Sequence, residues 1–299
     1  MIKIIFWGLF ILTSFNSLKA QNKIVYTKTD LDKIKSKNLI KRDSISVVYK
    51  YYYSSLSNNI GDTISKNKIL SNISKLDSIT EQINNDEIKG EFSFINHNLS
   101  SPFIPKILLN RLKRREGLKL HDTIFKLFKK TDKSIQSSTN GKILNQSLID
   151  LKNSDVGCIA PNFTLKDIDN NELELSLYRY KKYVLLDFWA SWCSPCVEEL
   201  PFLKSLYKKY SNYDFEIIGI TKDEKNDLWK NAIIKNEINI WKHISITENK
   251  STVEKSFFIN AIPVKILINK EGIIIGRWRG GGEENKKELT NLLYKIFNE

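Results

Sequence analysis

Asp187-Phe188-Trp189-Ala190-Ser191-Trp192-Cys193-Ser194-Pro195-Cys196-Val197-Glu198-Glu199-Leu200-Pro201 is the stretch that decides how this chain is read. The apolar run Tyr183–Trp189 has the composition of a buried strand, and it leads directly to two cysteines separated by Ser194 and Pro195 at a helix start. A cysteine at a helix N-terminus faces unpaired backbone N–H groups and the positive end of the dipole. Both favour thiolate over thiol, so Cys193 is the candidate nucleophile. Cys196, one turn inward on the same helix, is placed to attack a mixed disulfide formed at Cys193 and release the substrate. Pro195 suits a first turn, which needs no N–H from it.

Two further motifs accompany the dithiol in order: Gly157-Cys158-Ile159-Ala160-Pro161-Asn162-Phe163-Thr164-Leu165 upstream and Ala261-Ile262-Pro263-Val264 downstream. With them, residues 156–299 resemble the thioredoxin superfamily, most closely its exported TlpA/ResA-like branch, whose opening is shared with AhpC/TSA-type proteins. The resemblance implies an α/β thioredoxin fold, with a central mixed sheet flanked by helices and an N-terminal β-hairpin. It implies a thiol-disulfide oxidoreductase that uses no metal or organic cofactor. It also implies that Trp192, Ser194, Pro195, Ile262 and Pro263 line the substrate site and that Pro263 is cis. Residue statistics alone favour an ordinary trans proline in a turn before strand Val264–Ile268, because cis bonds are a small minority. Lacking an N–H, Pro263 leaves the backbone of Ile262 open to pair with an extended substrate strand.

Two carboxylates are candidates for proton handling, since a buried thiol ionises before it attacks. Asp187 interrupts an apolar run, where an acid needs a partner or a proton, so its pKa is expected to be raised. Its position matches the buried acid of thioredoxin. Glu199 lies three residues beyond Cys196, nearly one helical turn, and resembles a glutamate that ResA-like proteins hold near the dithiol. Each has a plainer reading, a tolerated strand-edge polar group for Asp187 and a solvated helix residue for Glu199. Trp189 reads as core. Pro201 reads as a kink in the dithiol helix or as its early end.

The chain has 299 residues and 41% hydrophobic residues, enough for two domains with their own cores. Residues 1–20 read as an export signal: Lys3, an apolar run from Ile4, then Ser17-Leu18-Lys19-Ala20. Export to the periplasm, or its equivalent, follows. The three cysteines exclude a disulfide-stapled scaffold, and Cys158 reads as a small buried residue or a third redox thiol. His97, His121 and His243 are scattered, so no metal site is expected.

Residues 21–155 read as a mainly helical N-terminal domain. Ile104, Ile107, Leu108 and Leu112 recur at helical spacing, as do Ile124, Phe125, Leu127 and Phe128, and Ile143, Leu144, Leu148 and Leu151. Residues 21–60 give no clear pattern. Residues 21–156 hold 24 Lys and Arg against 14 Asp and Glu, whereas 157–299 are nearly balanced at 21 against 20. A solvated set of helical faces accounts for the excess; contact with an acidic partner or a membrane surface is the alternative. The cluster Arg111, Lys113, Arg114 and Arg115 lacks the interleaved aromatics of a nucleic-acid binder.

Beyond residue 156, strands and helices alternate. Strands are expected at 162–166, 172–175, 183–189, 215–221, 243–247, 264–268 and 273–278, and helices at 193–210, 224–235, 251–258 and 283–297. Gly280-Gly281-Gly282 reads as a flexible turn, since it lacks the ending of a phosphate loop. The function expected is reduction of disulfides in exported proteins, fed by a membrane or periplasmic electron donor. A thiol peroxidase and a partner-binding platform are the alternatives.

Overall fold

A computed structural model describes residues 27–58, 63–114, 116–246 and 250–298. The expected export signal, residue Arg115 and the end of the strand expected at 243–247 lie outside the described residues. The chain divides into two compact units, Met1–Ser101 and Pro102–Glu299.

The first unit is a pair of long helices, α1 (Lys28–Asn58) and α2 (Thr63–His97). Their seam is largely polar. Asn38 donates to Glu87 at 3.2 Å, Arg42 reaches Asn84 and Glu87 at 2.6 and 3.3 Å, and Lys35 pairs with Glu91 at 3.0 Å. Leu31, Ile73, Ile83, Phe94 and Ile95 are the buried apolar residues of these helices among the described residues, while Leu39, Ile40 and Val47 face solvent. No described helix is long and apolar enough to cross a membrane.

The second unit opens with four helices, α3 (Ile104–Lys113), α4 (Gly117–Lys130), α5 (Lys133–Ser137) and α6 (Thr139–Asn153). All four residues of the Ile104 stripe are buried; Phe125 and Ile143, expected inside, are exposed at the margins of the other two stripes. Ser138 caps α6 by accepting from Gly141 N at 3.0 Å. A Cβ on Gly117 would lie 1.9 Å from the Leu112 carbonyl, so only glycine permits that helix-to-helix turn. Within the basic cluster, Arg111 is buried and paired with Glu116 at 2.7 Å.

The remaining chain carries β1 (Thr164–Lys166), β2 (Glu172–Glu174), β3 (Tyr183–Trp189), α7 (Ser194–Tyr210), β4 (Phe215–Thr221), α8 (Asn226–Lys235), β5 (Lys242–Ser245), α9 (Lys250–Ser256), β6 (Val264–Ile268), β7 (Ile274–Arg279) and α10 (Glu283–Phe297). β1 and β2 form the hairpin, and the five-stranded sheet has the order β5-β4-β3-β6-β7. β3, β4 and β5 run parallel, and β6 and β7 turn back antiparallel. This is the mixed sheet expected. Strand alternation splits the core in two. Val184, Leu186, Phe188, Ile218, Ile220 and Ile266 pack with Phe163, Leu165 and Phe257 on one face. On the other, Leu185, Trp189, Ile217 and Leu267 pack against Leu200 and Leu203 of α7, Trp229 of α8 and Leu289 of α10.

On the first face, β7 carries two buried arginines. Arg277 donates to the carbonyls of Ser154 and Phe257 at 2.9 and 2.6 Å, and Arg279 to those of Leu112 and Arg114 at 3.2 and 3.0 Å. Leu112, Arg114 and Ser154 end α3 and α6, so each guanidinium meets the negative end of a helix. The helices of 104–153 are thereby bound into the sheet.

Candidate active site

β3 ends at Trp189, and the chain turns through Ala190–Trp192 to place Cys193 as the N-cap of α7. The turn is tethered from β4. Ser191 donates its N–H and its hydroxyl to the Asp223 carboxylate at 2.9 and 2.7 Å, and Thr221 donates to the same group at 2.7 Å. Asp223 was invisible in the sequence because a Lys-Asp pair after a strand reads as an ordinary loop. Cys193 and Cys196 are joined as a disulfide with Cα atoms 5.2 Å apart, and both are buried. Trp192 is 66% exposed beside them, and Ser194 and Pro195 face solvent. Pro201 sits inside α7, which continues to Tyr210. The helix does not end early there.

Ile262–Pro263 is the cis peptide bond among the described residues. Phe188↔Val264 ends the β3–β6 register, which carries Ile262 and Pro263 to the sheet end where the cysteine turn lies. Ile262 packs against the core cluster that holds both cysteines. The Pro263 carbonyl accepts from Gly280 N at 2.8 Å, while the backbone N–H and carbonyl of Ile262 have no hydrogen-bond partner among the described residues.

Asp187 and Glu199 are brought together by a residue the sequence reading missed. Lys265, directly opposite Asp187 in the β3–β6 register, is 5% exposed. Its ammonium lies 3.6 Å from Asp187 Oδ1 and donates to Glu199 Oε2. Glu199 is buried rather than solvated, and its other oxygen accepts from Gly282 N at 3.2 Å. The glycine triplet is therefore a cradle for Glu199 and not only a turn; Gly280 and Gly282 have φ of 75° and 121°. Burial raises the Asp187 pKa above the usual carboxylate range, Lys265 opposes the rise, and the Glu199 charge adds to it. The signal for Lys265 was present only as a lysine amid Val264, Ile266, Leu267 and Ile268.

Cys158 is half-buried rather than buried, free, and 3.2 Å from the Lys152 carbonyl. Among the described residues no group of three or more His, Cys, Asp or Glu is arranged to hold a metal. His243 is buried, with Nε2 on the Ile238 carbonyl at 2.8 Å, and burial lowers its pKa to about 4.

Residues 156–277 match the AhpC/TSA family. The chain is 32% identical over 142 residues to thiol-disulfide oxidoreductase ResA of Bacillus thuringiensis subsp. konkukian, covering 48% of this chain and 79% of that protein. It is 29% identical over 119 residues to ResA of Bacillus subtilis strain 168, covering 40% of this chain and 64% of that one. Among solved structures, the thioredoxin domain of a thiol-disulfide oxidoreductase from Bacteroides vulgatus aligns with 30% identity and a TM-score of 0.43, over 48% of this chain and 98% of that one. A dithiol at a helix N-terminus, a cis-proline at the adjoining sheet end and these ResA relatives place the chain in the thioredoxin superfamily, among the ResA-like thiol-disulfide oxidoreductases.

Proposed function

We propose that this protein reduces disulfides of exported proteins, with Cys193 as nucleophile and Cys196 as the resolving thiol. The observation that carries the reading is the Cys193–Cys196 bridge at the start of α7, at the same sheet end as cis-Pro263. The unpartnered backbone of Ile262 receives an extended substrate segment, and exposed Trp192, Ser194 and Pro195 border it. Asp187 exchanges a proton with Cys196 as the bridge opens and closes, and Glu199 supports it. Residues 156–299 house the chemistry, and residues 21–155 are accessory to it. The pattern of Met1–Ala20 supports export, so substrates and the electron donor lie outside the cytoplasmic membrane. The basic excess of residues 21–156 suits an acidic partner or an anionic membrane surface on that side.

Cys196→Ser tests the assignment. The variant should accumulate mixed disulfides through Cys193 with exported proteins, identified by mass spectrometry after thiol blocking. Capture through Cys158 instead would refute the roles given. Equilibration with glutathione tests the direction: a potential near about −120 mV would make the protein an oxidant and overturn the reductive reading. Peroxide consumption that survives Cys196→Ser would favour a peroxidase.

A further inference from the structure

The register of the sheet lines up Trp278, Lys265, Asp187, Gly219 and His243 across β7, β6, β3, β4 and β5. This row lies on the face against which α7 packs, and Glu199 and Cys196 are neighbours three apart on that helix. Two carboxylates and one ammonium thus share a buried site. With both acids ionised the cluster carries one uncompensated negative charge in a low-dielectric interior, which favours a proton held within it. Glu199 is the better hydrogen-bonded of the two carboxyls, since it accepts from the Lys265 ammonium and from Gly282 N. Asp187 has only the 3.6 Å approach of the same ammonium, beyond hydrogen-bond reach.

The other titratable groups around the cluster do not supply this balance. His243, on β5, is committed to the Ile238 carbonyl. Asp223 is occupied by Ser191 and Thr221. From β7 the residue opposite Lys265 is Trp278, whose indole donates to Glu288 of α10 at 3.0 Å, and Glu288 is exposed. From β4 the neighbour is Gly219, which brings no charge. Among the described residues, Lys265 is the single buried cation in contact with both carboxylates.

We propose that Lys265 is a positioning residue for the exchange reaction: by holding Glu199 as the anion it leaves the cluster's proton on Asp187, and it faces the aspartate once that proton has gone. The inference rests on the proposed proton exchange between Asp187 and Cys196. When a donor thiolate attacks the Cys193 sulfur, a donor–Cys193 disulfide forms and the Cys193–Cys196 bond breaks. Its electron pair goes to the Cys196 sulfur, which takes the Asp187 proton. The negative charge brought by the donor ends on the Asp187 carboxylate, opposite Lys265. Oxidation by a substrate disulfide runs the same transfer backwards, with Asp187 as base.

The test compares the full chain with Lys265→Met, Lys265→Arg, Glu199→Gln and Asp187→Asn, following thiolate absorbance and the rate of disulfide exchange against pH. Removing the ammonium leaves two carboxylates facing each other, so Lys265→Met should move the ionisation that limits exchange to higher pH. It should slow exchange at neutral pH by about tenfold for each unit moved. Glu199→Gln should move it the opposite way, because the freed ammonium then serves Asp187 alone, and Lys265→Arg should restore much of the wild-type profile. A lysine needed only for packing would alter the melting temperature and leave the profile in place. If Lys265→Met is poorly folded, the downward shift of Glu199→Gln carries the test; an unmoved or raised profile overturns the proposal. A profile moved by Asp187→Asn but not by Lys265→Met or Glu199→Gln sinks the role of Lys265 alone. One unmoved by all of them sinks the reading of Asp187 beneath it.

Discussion

The two faces of the central sheet bury charge in opposite ways. On the α7 face, Asp187, Glu199 and Lys265 bring two carboxylates and one ammonium together, and burial raises the Asp187 pKa. On the other face, Arg277 and Arg279 are guanidiniums, which stay charged, and they are met by carbonyls at the ends of α3 and α6. Burial opposes charge in both places. The arginine site answers it with permanent dipoles and so fastens one part of the fold to another. In the proposed mechanism the acid site answers it with a movable proton, the arrangement useful next to a dithiol that gains and loses protons with its electrons. A buried charge thus reveals its use by what neutralises it.

The sharpest way to break this contrast is Arg279→Ala. It takes the guanidinium donor from the buried Leu112 carbonyl, removes one of the donors to the Arg114 carbonyl, which keeps Gly117 N at 2.9 Å, and removes the cation stacked 5.2 Å from the Phe258 ring. A buried carbonyl that loses its donor costs about 1–3 kcal/mol, so a loss of about 2 kcal/mol in stability is expected from denaturant titration. The pH profile of exchange in the surviving folded protein should be unchanged. A shifted profile would mean that the arginine face is coupled to the dithiol, and the division between structural and chemical charge would fail.

How far each site was legible in the sequence follows the same division. The dithiol, Asp187 and cis-Pro263 sit within short motifs, where local order along the chain carries the chemistry. Strands Tyr183–Trp189, Phe215–Thr221 and Val264–Ile268 and helix Glu283–Phe297 fall where periodicity placed them. Lys265 was not legible, because in Val-Lys-Ile-Leu-Ile a lysine reads as the solvent side of a half-exposed strand. Only pairing with Asp187, across a long stretch of chain, turns it inward. Arg277 and Arg279 escaped for the same reason: their partners are carbonyls of distant helices, and a carbonyl has no letter in the sequence. The α1–α2 pair was obscure because much of its seam is Asn38, Arg42, Glu87 and Glu91 rather than an apolar stripe.

Asp187→Asn sharpens the contrast through pH. The folded state holds the Asp187 carboxyl above its ordinary pKa of 3.8, so the unfolded chain releases this proton first. Wild-type stability therefore falls as pH rises from about 3.8 toward the raised folded value and then levels off. The asparagine variant lacks this term. Its stability relative to wild type should increase across that window and match it at lower pH, measured by denaturant titration of the oxidised proteins. Exchange should slow at the same time, since the proton carrier is gone. A variant less stable than wild type at neutral pH would mean that the Lys265–Asp187 attraction outweighs the desolvation.

Gly281→Ala should have the smallest effect and the finest resolution. The added Cβ would lie 3.1 Å from Glu199 Oε1 and 3.3 Å from its carboxyl carbon, so either the carboxylate or the loop gives way by a few tenths of an ångström. A stability change within about 1 kcal/mol is expected from so slight a crowding. Displacing Glu199 from Lys265 and Gly282 N weakens its hold as the anion, so the pH profile of exchange should move in the direction of Glu199→Gln, by less. Gly157→Ala is the matched control, because its φ of 90° strains any side chain while no atom of another residue lies near the added carbon. That variant should lose stability of similar size and keep the wild-type profile. If both variants move the profile alike, it reports general loosening of the fold, and the acid site loses its claim to be the chemical half of the sheet.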